Sequence, residues 1–297
     1  MPELPEVETV VRDLRPHLEG RRISAVKASS KRLRRPWSAK WGRCLVGRRI
    51  EYVSRWGKWI ILGLNDRGLD EGCALAIHLG MSGQLMLRPA GEPWASHTHL
   101  VLPLDDGREL RFRDIRRFGG AVLLDRDDLV AGIRPHGLGP DPSVRIDLGY
   151  WRKCLAATRR CLKAVLLDQR IIAGVGNIYA DEALFEAGLH PARLGCDLTP
   201  EEAACLRRAI PTVLKRAIKK RGSSIRNYVS GSGVKGEYQN EFRVYGRTGE
   251  PCLRCRTPIA RIRLAGRSTH FCPQCQPPTG GGASRNAVRK RAAARRR

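Results

Sequence analysis

Four cysteines constrain this chain more than any other residues in it. Cys252-Leu253-Arg254-Cys255 and Cys272-Pro273-Gln274-Cys275 form two CxxC pairs with 16 residues between them. Thiolate pairs at this spacing fit a tetrahedral zinc site closing a hairpin, with Gly266 near its tip. The competing reading is four unrelated free thiols, and the paired spacing argues against it. Four thiolates leave no open coordination position, so the one zinc implied is structural. Such a hairpin would hold Arg261, Arg263 and Arg267 rigidly, either as a solvated basic face or as a specific grip.

The remaining cysteines, at 44, 73, 154, 161, 196 and 205, are scattered and read as small core residues. Disulfides are not expected. The N-terminus lacks the basic start, apolar core and cleavage site of a signal peptide. No apolar run approaches the about 18 residues of a membrane span. The chain therefore reads as cytoplasmic. Lys and Arg number 55 against 29 Asp and Glu, a formal charge of +26 spread through all 297 residues. Solubility needs far less, so a polyanionic partner is implied, with nucleic acid ahead of an anionic membrane surface.

Residues 1–134 carry short strand-like runs broken by Gly and polar clusters, at 48–64, 72–88, 99–104 and 119–125. That rhythm predicts an antiparallel sandwich or barrel. PELPEVETVVRDLRPHL opens a helix in front of it, with Pro5 in the first turn and Glu6 and Glu8 at the positive end of the dipole. Residues 135–147 read as a Pro/Gly linker. A helical region follows at 148–242, and within it Thr199, Pro200 and Glu202 make a capping box with a proline start. Pro211 should kink that helix. The Gly/Ser-rich stretch 222–239 reads as a mobile loop. The cysteine pairs occupy 243–276, and 277–297 reads as a basic disordered arm. The fold class is α+β.

Gly174-Val175-Gly176-Asn177 sits between two helical stretches. It is either an ordinary helix connection or a tight turn that lets Asn177 cap the next helix and its first N–H groups meet a phosphate.

PELPEVE, HLGMSG (78–83), RRFGG (116–120), GVGNIYADE (174–182), VYGRTGEPC (244–252) and the zinc pairs occur in this order. Over about residues 1–276 the chain resembles the bacterial formamidopyrimidine-DNA glycosylases, which excise oxidised purines. Its opening resembles this branch rather than the related endonuclease VIII branch. The resemblance implies an N-terminal β-sandwich, a helix–two-turn–helix domain and a zinc finger, with DNA in the cleft between. The partner would be duplex DNA carrying oxidised purines or abasic sites, bound by a monomer associated with the bacterial nucleoid.

It also implies a set of site residues. Removal of Met1 would expose Pro2 as an amine nucleophile, with Glu3 as general acid/base and Glu6 orienting the N-terminal segment. Lys58 would contact the phosphate or damaged base, and Arg267 would grip flanking phosphates. Met81, Arg116 and Phe118 would fill the void left by a flipped base. His97, Asn177 and the Thr158-Arg159 region would bind phosphates, and the 223–238 loop would close over the base. Ile115 departs from the proline common in the family, and the basic tail runs past the usual end. Three rivals stand beside this reading: an oxidised-pyrimidine glycosylase of the same fold, a non-catalytic damage-binding protein, and a zinc-ribbon RNA-binding protein. A pure binder has no need of Pro2, Glu3 and Lys58 together.

Overall fold

Helix α1 (Leu4–Leu18) starts with Pro5 in its first turn, and Val7, Val10, Val11, Leu14 and Leu18 recur at helical spacing along one face. All five are buried. The computed structural model in which it lies describes residues 2–31, 33, 37–66, 69–124, 137–144, 146–224 and 234–278. The chain divides into two units, Met1–Gly139 with Arg216–Asn240, and Pro140–Lys215 with Glu241–Arg297.

In the first unit, α1 packs on two four-stranded antiparallel sheets. Chain order gives β1 (Lys27–Ala28), helix α2 (Ala39–Leu45), β2 (Arg49–Trp56), β3 (Trp59–Asp66), β4 (Leu69–His78), β5 (Gly83–Pro89), β6 (Thr98–Pro103), β7 (Arg108–Asp114) and β8 (Gly120–Leu124). The sheet orders are β2-β3-β4-β8 and β1-β6-β7-β5. Ile60, Leu62, Leu75 and Ile77 of the first sheet share one core with Leu85, Leu100, Leu102, Leu110 and Phe112 of the second and with α1. This is the expected sandwich with a flanking helix.

Strand β7 was hidden from the sequence by its charges. Its Leu110 and Phe112 point into the core, while Glu109 and Arg111 are buried as a pair 2.8 Å apart. Arg111 also donates to the carbonyls of Pro89, Glu92 and Pro93, so each nitrogen of its buried guanidinium has a partner.

The second unit is built on α3 (Leu148–Ala156), α4 (Leu162–Leu167), α5 (Asn177–Ala187), α6 (Pro200–Lys219) and the hairpin β9 (Ala260–Leu264)–β10 (Arg267–Phe271); the last turn of α6 is counted with the first unit. The expected capping box starts α6, with the Thr199 hydroxyl accepting from the Glu202 N–H at 3.2 Å and the Glu202 carboxylate accepting from the Thr199 N–H at 3.0 Å. Pro211 does not interrupt α6. Trp151 of α3 donates its indole N–H to the Ala203 carbonyl of α6. Of the six scattered cysteines only Cys73 is a buried core residue; Cys44 and Cys196 are exposed and the other three intermediate. Among the described residues no helix is long and apolar enough to cross a membrane. Residues 225–233 of the expected mobile loop 222–239, 279–297 of the tail 277–297, and linker residues 135, 136 and 145 lie outside the described residues.

Candidate active site and metal centre

The residues from Pro2 to Val7 are all buried, whereas residues this near a chain end are usually frayed. Pro2 is buried, and Glu3 and Glu6 are 2% and 1% exposed. Glu6 does more than suit the helix dipole. Its Oε2 accepts from the Glu3 N–H at 2.8 Å, and its Oε1 accepts from the Ser223 N–H and hydroxyl at 2.7 and 3.1 Å. One carboxylate thus fixes the backbone beside Pro2 and the base of the 223–238 loop. Gly222 adopts φ +74°, and a Cβ there would stand 2.7 Å from the Glu6 carboxylate. Glycine is required on both counts. Arg221 Nη2 donates to both carboxylate oxygens of Asp13 of α1, at 2.8 and 2.7 Å.

Lys58 lies in the two-residue turn between β2 and β3, just ahead of the apolar strand that begins at Trp59. It is 6% exposed, which is rare for a lysine. Arg55 ties this turn to α1, donating to Glu8 at 2.9 Å and to the Gly57 carbonyl at 3.0 Å. Further along, Arg15 donates to the Val53 carbonyl. Helix α1 therefore runs against β2 in the opposite sense, with its Pro2 end toward Lys58.

Strand register carries the argument to the other residues. Trp59 pairs with His78, and His78 pairs with Gly120. The Lys58 turn, the β4–β5 loop with Met81 and the β7–β8 loop with Arg116 and Phe118 thus share one end of the first sheet. Gly83 pairs with Asp114, Thr98 pairs with Arg113, and the Asp114 N–H donates to the His97 carbonyl. His97, exposed and at φ +66°, reaches the same end. Met81 is half-buried and Phe118 is 42% exposed, so neither is a core residue. The Arg116 guanidinium stacks 4.6 Å from the Phe118 ring centroid. Pro2, Glu3, Glu6, Lys58, Met81, His97, Arg116 and Phe118 thus cluster at one end of the sandwich.

In the second unit, Gly176 rather than Asn177 occupies the cap of α5. Asn177 is the first helical residue, and its side-chain amide donates to the Ser268 carbonyl of β10 at 3.1 Å. Its amide serves the zinc hairpin, so of the two readings of this turn the one in which Asn177 caps the helix does not hold. Gln169 braces the preceding turn, donating to the Val175 carbonyl and accepting from the Gly174 N–H. Thr158, half-buried, and Arg159, exposed, follow α3.

Helix α5 has no polar face, since every residue from Ile178 to Phe185 is buried. Its acids must find partners inside. Asp181 accepts from Lys163 at 2.5 Å on one oxygen and from the His270 N–H at 2.9 Å on the other, with His270 Nδ1 3.1 Å away. Glu182 accepts from the consecutive N–H groups of Arg243, Val244 and Tyr245. Burial nonetheless pushes its carboxyl above the ordinary range. Asp181 anchors the hairpin, and Glu182 the 243–245 segment, to helix α5. They were not among the expected site residues, although two acids within the apolar, buried run Ile178–Phe185 were a usable signal. Lys163 and Asp181 are both 0% exposed, so Lys163→Met leaves a buried carboxylate short of its cation. The variant should lose about 3–5 kcal/mol in urea unfolding. A loss below about 1 kcal/mol would match only a surface pair and contradict this role.

The four paired cysteines meet as the spacing implied. Their sulfurs all lie within 4.8 Å of one another, with separations of 3.9 Å for Cys252–Cys275, 3.4 Å for Cys255–Cys272 and 3.5 Å for Cys255–Cys275. Sulfurs about 2.3 Å from a tetrahedral zinc stand about 3.8 Å apart, so the set fits the metal. The N–H groups of Arg254 and Cys275 point at the sulfurs of Cys252 and Cys272. A hydrogen bond from Thr257 lowers Cys255 to about 6, whereas burial pushes Cys272 and Cys275 up. A bound dication offsets that last cost. Ala265 and Gly266, at φ +48° and +71°, turn the hairpin between Leu264 and Arg267. Exposed Arg267 opens β10.

Comparison with known proteins gives a consistent result along the chain. Residues 1–121 match the Formamidopyrimidine-DNA glycosylase N-terminal domain, 138–229 the Formamidopyrimidine-DNA glycosylase H2TH domain, and 249–278 the Zinc finger found in FPG and IleRS. The Formamidopyrimidine-DNA glycosylase of Chloroflexus aurantiacus is 47% identical over 93% of this chain and 98% of its own. That of Geobacter sulfurreducens is 44% identical over 93% and 100%. The Lactococcus lactis Fpg solved with DNA containing an abasic site superposes with a TM-score of 0.83 at 36% identity, covering 93% of this chain and 99% of its own. The same protein with Fapy-dG DNA gives 0.82 at 35%, covering 93% and 100%.

Proposed function

We propose that this chain, which belongs to the formamidopyrimidine-DNA glycosylase family, excises oxidised purines with Pro2 as its nucleophile. It is a DNA glycosylase of base excision repair with abasic-site lyase activity, its partner is lesion-containing DNA, and its zinc is structural. We extend this to 8-oxoguanine and formamidopyrimidines in duplex DNA, acted on by a monomer in the bacterial cytoplasm at the nucleoid.

The residue roles follow from chemistry. With Met1 removed, Pro2 presents an α-amine whose ordinary pKa is near 8, so a useful fraction is unprotonated at neutral pH. Its lone pair attacks the anomeric carbon while the bond to the base breaks and the amine's proton passes to the leaving base; Glu3 then delivers a proton to the ring oxygen as the sugar opens to the iminium. The resulting iminium draws electrons from C2′. Loss of the C2′ proton expels the 3′ phosphate, and a second elimination expels the 5′ phosphate. Lys58, buried beside the Pro2 end of α1, suits the phosphate or base at the reacting sugar. Arg267 suits the flanking phosphates, and His97, Asn177, Thr158 and Arg159 suit the backbone beyond. Met81, Arg116 and Phe118 suit the void left by the everted base, an eversion that costs a few kcal/mol.

The observation that carries this reading is a buried Pro2 at the same end of the sandwich as a buried lysine and two loops that carry half-buried Met81 and exposed Arg116 and Phe118. Its test is excision from duplexes carrying 8-oxoguanine, a formamidopyrimidine or an oxidised pyrimidine, with RNA as competitor. Both purine lesions should be cut to β,δ-products, with RNA a poor competitor. Cutting confined to the pyrimidine lesion would make this an endonuclease VIII-like enzyme, and tight binding without cutting a damage-binding protein.

A further inference from the structure

We propose that Asp114 is a positioning residue that locks the two void-filling loops into one preset wedge. The inference rests on the family reading, in which Met81, Arg116 and Phe118 replace the everted base, and adds what holds them in place.

Asp114 is the last residue of β7 and is 0% exposed. Its Oδ1 accepts from the Ser82 hydroxyl at 2.6 Å and from the Arg116 N–H at 3.3 Å. Its Oδ2 accepts from the Gly119 N–H at 2.8 Å. The Ser82 hydroxyl oxygen also accepts from the Arg116 N–H at 3.1 Å. One carboxylate therefore gathers the residue after Met81 and the two ends of the Arg116–Gly119 segment. The backbones interlock as well. A Cβ on Gly80, which sits at φ +62°, would stand 2.4 Å from the Gly119 nitrogen, and one on Gly119 would stand 2.5 Å from the His78 carbonyl oxygen. Neither loop can move without the other.

The side chains on this braced backbone are held outward. Ile115 and Phe118 are 44% and 42% exposed, and Arg116 is exposed and stacked on Phe118. A strand cap needed only for stability has no reason to fix a loop that keeps its large side chains in water. A wedge that must enter a base stack gains from being ordered beforehand, because side-chain and loop ordering is then not charged against eversion.

Asp114→Asn tests this, since an amide keeps one acceptor oxygen and must abandon either the Ser82–Arg116 side or Gly119. Ser82→Ala is a milder second variant in case the first does not fold. Two rates are measured in each: excision of 8-oxoguanine from duplex DNA, and lyase cleavage of an abasic site in single-stranded DNA, which has no stack to break. Duplex excision should fall about 10- to 100-fold in kcat for Asp114→Asn and less for Ser82→Ala. KM should change little, preference for the opposite base should weaken, and single-strand cleavage should stay at the parent rate. Equal losses in both rates would make Asp114 a stability residue and overturn the proposal. So would parent rates in both variants, or in Ser82→Ala alone if Asp114→Asn is unfolded. If the parent protein itself fails on the duplex, the family reading fails instead.

Discussion

Pro2→Gly is expected to slow excision of 8-oxoguanine at least about 100-fold, equivalent to ~2.7 kcal/mol of barrier, while affinity for damaged duplex is retained. Glycine leaves a primary amine, so its imine must be protonated before it can draw electrons. The iminium of a secondary amine cannot lose its charge that way. The change should therefore act on chemistry more than on binding. Proline also fixes the backbone at the residue preceding Glu3, whose N–H is held by Glu6. Single-turnover excision and equilibrium binding on one duplex separate the two effects. Unchanged turnover would remove Pro2 from the mechanism.

Cys252→Ala should lose zinc and DNA affinity together. Cys252 is 0% exposed and packs with Phe185, Val244, Ile259 and Cys272. Zinc in small finger domains supplies about 10–16 kcal/mol of folding free energy at neutral pH. Three sulfurs cannot replace the closed site. The β9–β10 hairpin, which carries Arg261, Arg263 and Arg267 and joins α5 through His270 and Ser268, should lose its order. Metal analysis should fall from one equivalent toward none, and affinity for damaged duplex should fall more than about tenfold, the equivalent of one lost charge-assisted contact. A metal-free variant with full affinity would show that the hairpin contributes nothing to DNA binding.

Local features were legible because their causes are local. Proline in a first turn announced α1, Thr199 and Glu202 announced the start of α6, and cysteine spacing announced the hairpin turning at Gly266. What stayed hidden depends on residues far apart in the chain. Glu6 reaches Ser223 across 217 positions, and Ser82 reaches Asp114 across 32. No periodicity records such a meeting. Strand β7 was obscured because Glu109 and Arg111 are charged yet buried against each other. The use of Asn177 stayed open because its partner, the Ser268 carbonyl, lies 91 residues along the chain, while Gly176 holds the cap position of α5 without a side-chain acceptor. For Glu6, Ser82 and Asn177 the partner lies in another element; for β7 it lies two residues along the same strand.

The central claim is that the chain's own N-terminal amine attacks the damaged nucleoside. Borohydride trapping on a duplex with 8-oxoguanine opposite cytosine, followed by mass spectrometry of the adduct, tests it most directly. A covalent adduct on a peptide that begins at Pro2, with Met1 absent, is the expected result. An adduct on Lys58, or no adduct from a protein whose intact mass shows Met1 removed, would contradict it.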